Sequence, residues 1–383
     1  MLLKIEKLVY GGDGLARQEG RVALVPFTLP GEEVETEVTR EKNDLLRGRA
    51  VEIRVPSPHR VEAPCPYYLR CGGCHYQHAD YAFQLEQKEA ILREVLRRVG
   101  KIDYDGAIGI VSGEPWHYRN RAQLHVENGA VGYFEIGSHR LCPVNQCPIS
   151  SPKLNETIGV LTEELPRLPR FTTTLELFSN ESEVQFSLSD RVPGAARSLF
   201  DRIATTRPIE YAGFRVSRNS FFQVNRFLID QLVATTLHGL VPGAHGVDLY
   251  AGVGLFTLPL AGLFERVSAA EVAGSAHRDL EYNAQGKGNV AAFHKTAEDY
   301  LTRVAETPDV IVADPPRNGL GKQILTGMLR IRAPQIRIVS CDPATLARDL
   351  RVLLGAGYRL DTVTLVDLFP QTFHLETVVA LSL

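Results

Sequence analysis

The chain has 383 residues, enough for two or three domains and at least one large core. Its 44% hydrophobic content excludes a disordered or low-complexity chain, and 42 Lys plus Arg against 45 Asp plus Glu, a net charge of −3, excludes bulk electrostatic attraction to a polyanion. The longest uncharged run, residues 249–264, is broken by Gly252, Gly254, Pro259 and Gly262, and Lys4, Glu6 and Lys7 interrupt the N-terminal apolar stretch, so neither a membrane span nor a signal peptide is expected. A cytoplasmic chain with reduced cysteines follows.

In chain order, Leu2–Tyr10, Arg21–Pro26, Val34–Arg40 and Leu46–Val55 read as short strands separated by Gly11-Gly12-Asp13-Gly14 and Pro30-Gly31, which suggests a small β-barrel over residues 1–58. Pro56-Ser57-Pro58 reads as a linker after it, and ten cations balance ten acids over residues 1–60, so charge alone does not say whether it binds RNA. A helix is expected over residues 80–100, where Ala82, Leu85, Ile91, Leu92, Val95, Leu96 and Val99 keep near-helical spacing and Gly100 stops it. It can pack on the catalytic domain. Residues 59–215 otherwise read as an α+β central domain, in which Gln123–Val126 and Val131–Phe134 flank the hairpin signal Asn128-Gly129 and Thr172–Phe178 pairs with Val184–Leu188. Arg119 and Arg121 are candidates for phosphate contact.

Residues 216–383 change texture. The strand-like runs Gly246–Tyr250, Val267–Ala270, Val290–His294, Val310–Ala313 and Arg337–Ser340 alternate with helical segments, as in an α/β doubly wound parallel sheet. Tyr250-Ala251-Gly252-Val253-Gly254 is a glycine turn after a strand ending in Asp248, and Glu271 lies 23 residues beyond that acid, where a carboxylate can accept from ribose hydroxyls. The turn lacks a third spaced glycine, so S-adenosylmethionine fits better than a dinucleotide. Asp314, in Asp314-Pro315-Pro316-Arg317-Asn318-Gly319, and Cys341, in Ser340-Cys341-Asp342-Pro343, both follow strands. A helix N-terminus after Cys341 is expected to favour its thiolate. Glu376 opens the last strand, either as a solvated edge charge or as a base.

Cys65, Cys71 and Cys74, spaced Cys-x5-Cys-Gly-Gly-Cys, suit an iron–sulfur cluster, with zinc the runner-up and either Cys142 or Cys147 the fourth ligand.

Taken together, these motifs resemble the S-adenosylmethionine-dependent RNA uracil-5-methyltransferases, in the branch that acts on large-subunit (23S) ribosomal RNA. The resemblance extends over essentially the whole chain. It implies a class I methyltransferase fold, Rossmann-like, behind an N-terminal OB-like TRAM barrel, and a [4Fe-4S] cluster on Cys65, Cys71, Cys74 and Cys147, with Cys142 left over. It also makes Gln223 of Phe222-Gln223-Val224-Asn225 a cofactor contact beside Tyr250, Gly252, Glu271 and Asp314, with Cys341 the nucleophile and Glu376 the general base. The partner it implies is RNA, bound by a monomer, with transfer RNA the alternative to ribosomal RNA.

Overall fold

A computed structural model describes residues 1–383. The N-terminal stretch forms β1 (Leu2–Lys4), β2 (Lys7–Leu8), β3 (Asp13–Gln18), β4 (Arg21–Pro26), β5 (Glu33–Lys42) and β6 (Leu45–Val55), in the order β1-β5-β6-β4-β3-β2. The two edge strands, β1 and β2, are consecutive pieces of one segment, which brings the two ends of the sheet near each other. Leu3, Ile5, Ala16, Ala23, Val25, Val34 and Leu46 fill its interior.

This unit is less separable than its sequence suggests. Leu8 and Leu29 leave the small core and are buried in the large cluster that also contains the catalytic sheet's Leu249, Ile311 and Ile338. Removing residues 1–55 would therefore strip part of the large core.

Helix α1 (Tyr81–Val95), capped by the Asp80 carboxylate on the Phe83 N–H at 2.9 Å, runs on through a π-helical turn at Leu96–Gly100. Its buried face, Phe83, Ile91, Leu92 and Leu96, joins the same large core. Strand β7 (Ile108–Val111) then adds to the catalytic sheet rather than to the central domain. The central domain proper is a five-stranded antiparallel sheet of β8 (Arg121–Glu127), β9 (Ala130–Phe134), β10 (Leu141–Pro143), β11 (Thr172–Ser179) and β12 (Val184–Leu188), ordered β10-β9-β8-β11-β12. Asn128 and Gly129 both take positive φ, which suits the tight turn their sequence signalled. Helices α2 (Pro152–Glu164) and α3 (Gly194–Ile203) contribute Leu154, Ile158, Leu161, Leu199 and Phe200 to the core of this domain.

After a small hairpin, β13 (Ile209–Tyr211) and β14 (Phe214–Val216), the chain enters the α/β unit. Its strands are β15 (Gly243–Leu249), β16 (Phe264–Glu271), β17 (Val290–His294), β18 (Val310–Ala313), β19 (Gln335–Ser340), β20 (Arg359–Val366) and β21 (Glu376–Ser382). Its helices are α4 (Ile229–Leu237), α5 (Thr257–Leu260), α6 (Gly274–Asn283), α7 (Ala297–Arg303), α8 (Gly321–Ile331) and α9 (Pro343–Gly355). The eight-stranded order is β17-β16-β15-β18-β19-β21-β20-β7, parallel except for β21, which runs against both neighbours. Both faces are covered. Val310 and Val312 face one core while Ile311 and Ala313 face the other, the two-residue alternation of a strand buried on both sides. No helix is long and apolar enough to cross a membrane.

One buried ion pair ties α1 to this sheet. Lys88 Nζ donates to Asp367 Oδ1 at 2.6 Å and to the Phe369 carbonyl at 2.9 Å, and neither charged side chain reaches solvent. Burial pulls the Lys88 ammonium below its ordinary pKa, against the pull of Asp367. Tyr81 and Gln84, on the same helix, donate to Asp367 Oδ2 and Gln371 Oε1. Lys88→Met should strand the Asp367 charge in the interior at a cost of about 3–5 kcal/mol, seen as a large drop in thermal midpoint. Lys88→Met combined with Asp367→Asn should recover part of the loss, because no charge is then left buried.

Candidate active site and cysteine cavity

In a sheet of this kind ligands bind beyond the carboxyl ends of the strands, where the strand order reverses. Here that point lies between β15 and β18, and the candidate residues collect around it. Tyr250 and Gly252 follow β15, Glu271 ends β16, Asp314 follows β18 and Cys341 follows β19. Glu376 reaches the same edge because β21 is reversed: Ser340 pairs with Thr377, so Cys341 and Glu376 stand one step further along adjacent strands.

The nucleotide end is built by backbone geometry. Tyr250, a residue with a side chain, takes φ +62°, a strained conformation that redirects the chain at the strand end. Gly252 also has positive φ, a Cβ there would meet nothing, and its N–H donates to Glu271 Oε2 at 2.8 Å. Glu271 Oε1 accepts from the Ala273 N–H at 2.6 Å, so both oxygens are oriented and each keeps a lone pair for a further donor. Asp248 gives one oxygen to Thr257 and has no partner for the other. Gln223 reaches the site from the segment before α4, with Nε2 3.4 Å from Asp314 Oδ2. Its neighbour Asn225 fixes that segment by donating to the Leu368 carbonyl at 3.2 Å.

Two buried acids, Asp248 and Glu376, and the half-buried Asp314 crowd this edge. Burial pushes Asp314 up to about 7 and Asp248 up to about 7, the latter helped by the nearby Asp314 and Glu271 carboxylates. Glu376 is held well above the usual carboxyl range by burial and by Asp314, with the Arg317 cation opposing. Cys341 is pushed up to about 12 by burial and by the Glu376 and Asp314 carboxylates, again against Arg317. The expected help from the following helix is absent for a specific reason. Asp342 Oδ1 accepts the Ala344 and Thr345 N–H groups at 3.0 and 2.8 Å, so the N-terminus of α9 is already capped by a carboxylate.

Arg317 was visible in its motif but had no role from sequence; its Nη2 lies 3.4 Å from the His374 ring nitrogens, and its charge opposes the upward shifts of Cys341 and Glu376. Phe221, beside Gln223, holds a large aromatic ring in solvent. Arg121, by contrast, is committed within the protein, donating to Glu176 and to the Ser220 carbonyl at 2.7 Å, so it builds the domain junction rather than offering a free cation.

Cys65, Cys71, Cys74 and Cys147 line one cavity of about 250 Å³, together with His75, Arg119, Tyr133 and His374. Cys142 does not line it and is buried among the apolar residues of the central sheet. Asn155, in the first turn of α2, grips Cys147 by accepting its N–H at 2.7 Å and donating to its carbonyl at 3.0 Å. Burial raises the Cys65, Cys71 and Cys74 thiols, Cys71 to about 12, and the neighbouring sulfurs add to each shift. Burial makes the ionised forms of Cys65, Cys71 and Cys74 unfavourable in this cavity. No group of three or more His, Cys, Asp or Glu side chains is placed as a bound metal ion requires. His75 Nδ1, buried without a partner, offers the wall a polar group for a bound anion.

Comparison with known proteins gives this arrangement its context. The TRAM domain model matches residues 1–51, and the tRNA (Uracil-5-)-methyltransferase model matches residues 301–383, the span holding Asp314, Cys341 and Glu376. An uncharacterized RNA methyltransferase of Aquifex aeolicus (strain VF5) is 34% identical over 99% of this chain and 97% of its own. The 23S rRNA (uracil(1939)-C(5))-methyltransferase RlmD of Pectobacterium atrosepticum is 33% identical over 96% of this chain and 90% of its own. Among solved structures, the Pyrococcus abyssi tRNA (uracil-54, C5)-methyltransferase in complex with S-adenosyl-L-homocysteine aligns over 100% of this chain and 99% of its own, at 25% identity and a TM-score of 0.78. With a TRAM domain at its N-terminus and a class I methyltransferase fold carrying the clustered site, the chain belongs to the S-adenosylmethionine-dependent RNA (uracil-5-)-methyltransferases.

Proposed function

We propose that this enzyme methylates carbon 5 of a uridine in 23S ribosomal RNA through a covalent Cys341 adduct. The observation that carries the chemistry is the placement of Cys341 and Glu376 side by side at the edge that also holds Asp314. The ribosomal RNA reading follows the Pectobacterium relative; the Pyrococcus structure keeps transfer RNA as the second reading.

The cofactor supplies an electrophilic methyl group on a positively charged sulfur. Around it, Glu271 accepts the ribose hydroxyls, Gly252 leaves room for the nucleoside, and Gln223 and Asp314 orient the methionine end. Three acids crowded together are costly without a cation, and the charged cofactor supplies one. The same charge eases ionisation of Cys341, whose thiolate is disfavoured in the empty site. Carbon 5 of uracil is too weak a nucleophile by itself, so the Cys341 sulfur adds to carbon 6 and the displaced electron pair makes carbon 5 attack the methyl group, whose bond to the sulfonium sulfur breaks with its electron pair left on that sulfur as a neutral thioether. Glu376 then takes the carbon 5 proton, and the electron pair of that bond reforms the double bond as sulfur leaves. Glu376 suits this step because its buried carboxylate is strongly basic. Phe221 offers a stacking surface for a base displaced from the RNA.

The cysteine cavity fits a [4Fe-4S] cluster held by Cys65, Cys71, Cys74 and Cys147. It would crosslink the central domain and transfers no electrons in a methyl transfer.

Cys341→Ala should abolish both methylation and covalent RNA attachment. Glu376→Gln should accumulate a methylated protein–RNA band on denaturing gels that needs S-adenosylmethionine; turnover of that variant near the wild-type rate would show that another group is the base. Anaerobically purified protein should be brown, with the colour lost in Cys147→Ser and kept in Cys142→Ser, whereas a colourless preparation with stoichiometric zinc would refute the cluster. Since burial raises Asp314 and Asp248 to about 7 and only their ionised forms attract a cation, cofactor affinity should weaken below about pH 7 in calorimetric titrations, toward about tenfold per pH unit for each of the two acids that must ionise. S-adenosylhomocysteine, which lacks the sulfonium charge, should show a shallower dependence.

A further inference from the structure

The N-terminal sheet sends one residue into the catalytic edge. Between β2 and β3 the chain runs Val9-Tyr10-Gly11-Gly12, and Tyr10 turns away from the barrel to pack on the catalytic core. Its hydroxyl donates to Asp342 Oδ2 at 3.1 Å, and its ring meets the edge of Phe373 at a centroid distance of 5.7 Å. Asp342 is the residue after Cys341. One of its oxygens caps α9 and the other accepts from the barrel, so the carboxylate is anchored on both sides.

Phe373 lies three residues before Glu376, and its other neighbour is His75, beside Cys74, at 4.6 Å and nearly perpendicular. The barrel's turn touches that histidine too: Gly12 has φ +95°, and a Cβ there would sit 3.3 Å from His75 Cβ. Two glycines therefore let the turn lie flat against the cysteine loop while Tyr10 reaches the nucleophile's strand end.

We propose that Tyr10 is a positioning residue which, through Asp342 and Phe373, holds Cys341 and Glu376 in reacting register, so that the RNA-binding barrel and the reacting pair move as one unit. The inference rests on the reading of Cys341 as nucleophile. A ring alone would fill the space. The hydroxyl adds a directed bond to a carboxylate next to the reacting sulfur, and bonds to charged groups are the strong ones.

Tyr10→Phe keeps the ring and removes the donor. Its kcat should fall about tenfold with KM for RNA and cofactor unchanged, and the thermal midpoint should fall only modestly, as for the loss of one hydrogen bond. RNA carrying 5-fluorouridine reports the same step directly, because the fluorine cannot leave as a proton and the covalent adduct persists; its capture rate should fall by the same factor. In a double-mutant cycle, Asp342→Asn and Tyr10→Phe should be non-additive. Wild-type kcat and capture rate in Tyr10→Phe would overturn the proposal, as would a raised RNA KM at unchanged kcat, which would make Tyr10 an RNA contact, or strict additivity in the cycle. Covalent capture by Cys341→Ala would instead overturn the nucleophile reading itself.

Discussion

Reversal of the final strand is the constraint on which the site depends. In an all-parallel sheet a residue at the start of β21 would lie at the amino edge, a full strand length from Cys341. Because β21 inserts antiparallel between β19 and β20, its first residue stands beside the end of β19. The insertion is secured by burial: residues of β21 alternate between the two cores, with Val378 on one side and Val379 and Leu381 on the other. A one-residue slip would exchange those faces and carry Glu376 away from Cys341, so the hydrophobic pattern of the strand also specifies the catalytic register.

Electrostatics explains why so unfavourable a cluster can persist. Asp248, Asp314 and Glu376 each sit above their ordinary pKa because no nearby cation fully compensates their burial, and Cys341 carries the consequence in a thiol raised to about 12. Arg317 is the cation within reach of the reacting pair, and it is held off-centre against His374. Surplus buried acid at this edge favours a positively charged ligand, and a cation bound there would also lower the cost of ionising the Cys341 thiol.

The segment from Asp367 to Leu375, between β20 and Glu376, is where the three parts of the protein meet. Lys88 and Gln84 hold it from α1, Tyr118 donates to the Pro370 carbonyl at 3.0 Å, and His75 and Tyr76 donate to the Gln371 carbonyl from the cysteine loop. Thr372 and His374 form part of the wall of the cysteine cavity. Glu376 is thus set by a loop whose shape depends on the helix, the cysteine loop and the barrel together.

Much of this was legible in the amino-acid order. Strands such as Val290–His294 and Val310–Ala313 coincide with their apolar runs, Asn128-Gly129 makes its hairpin, and the strand ends name Glu271, Asp314 and Cys341, because local propensity, turn chemistry and the ligand-binding edge of an α/β sheet are properties of short segments. Spacing likewise grouped Cys65, Cys71 and Cys74. Gln223 had no such signal and rested on family resemblance, since its approach to Asp314 spans 91 residues of sequence. Nor could local pattern choose between Cys142 and Cys147, attach β7 to the distant sheet, commit Arg121 to Glu176, or bring Tyr10 to Asp342 across 332 residues. Composition and periodicity determined which segments fold and which strand ends carry chemistry. Which of those ends share a buried, low-dielectric space was decided only by tertiary packing, because side-chain contacts and charge burial depend on neighbours that the linear order does not specify.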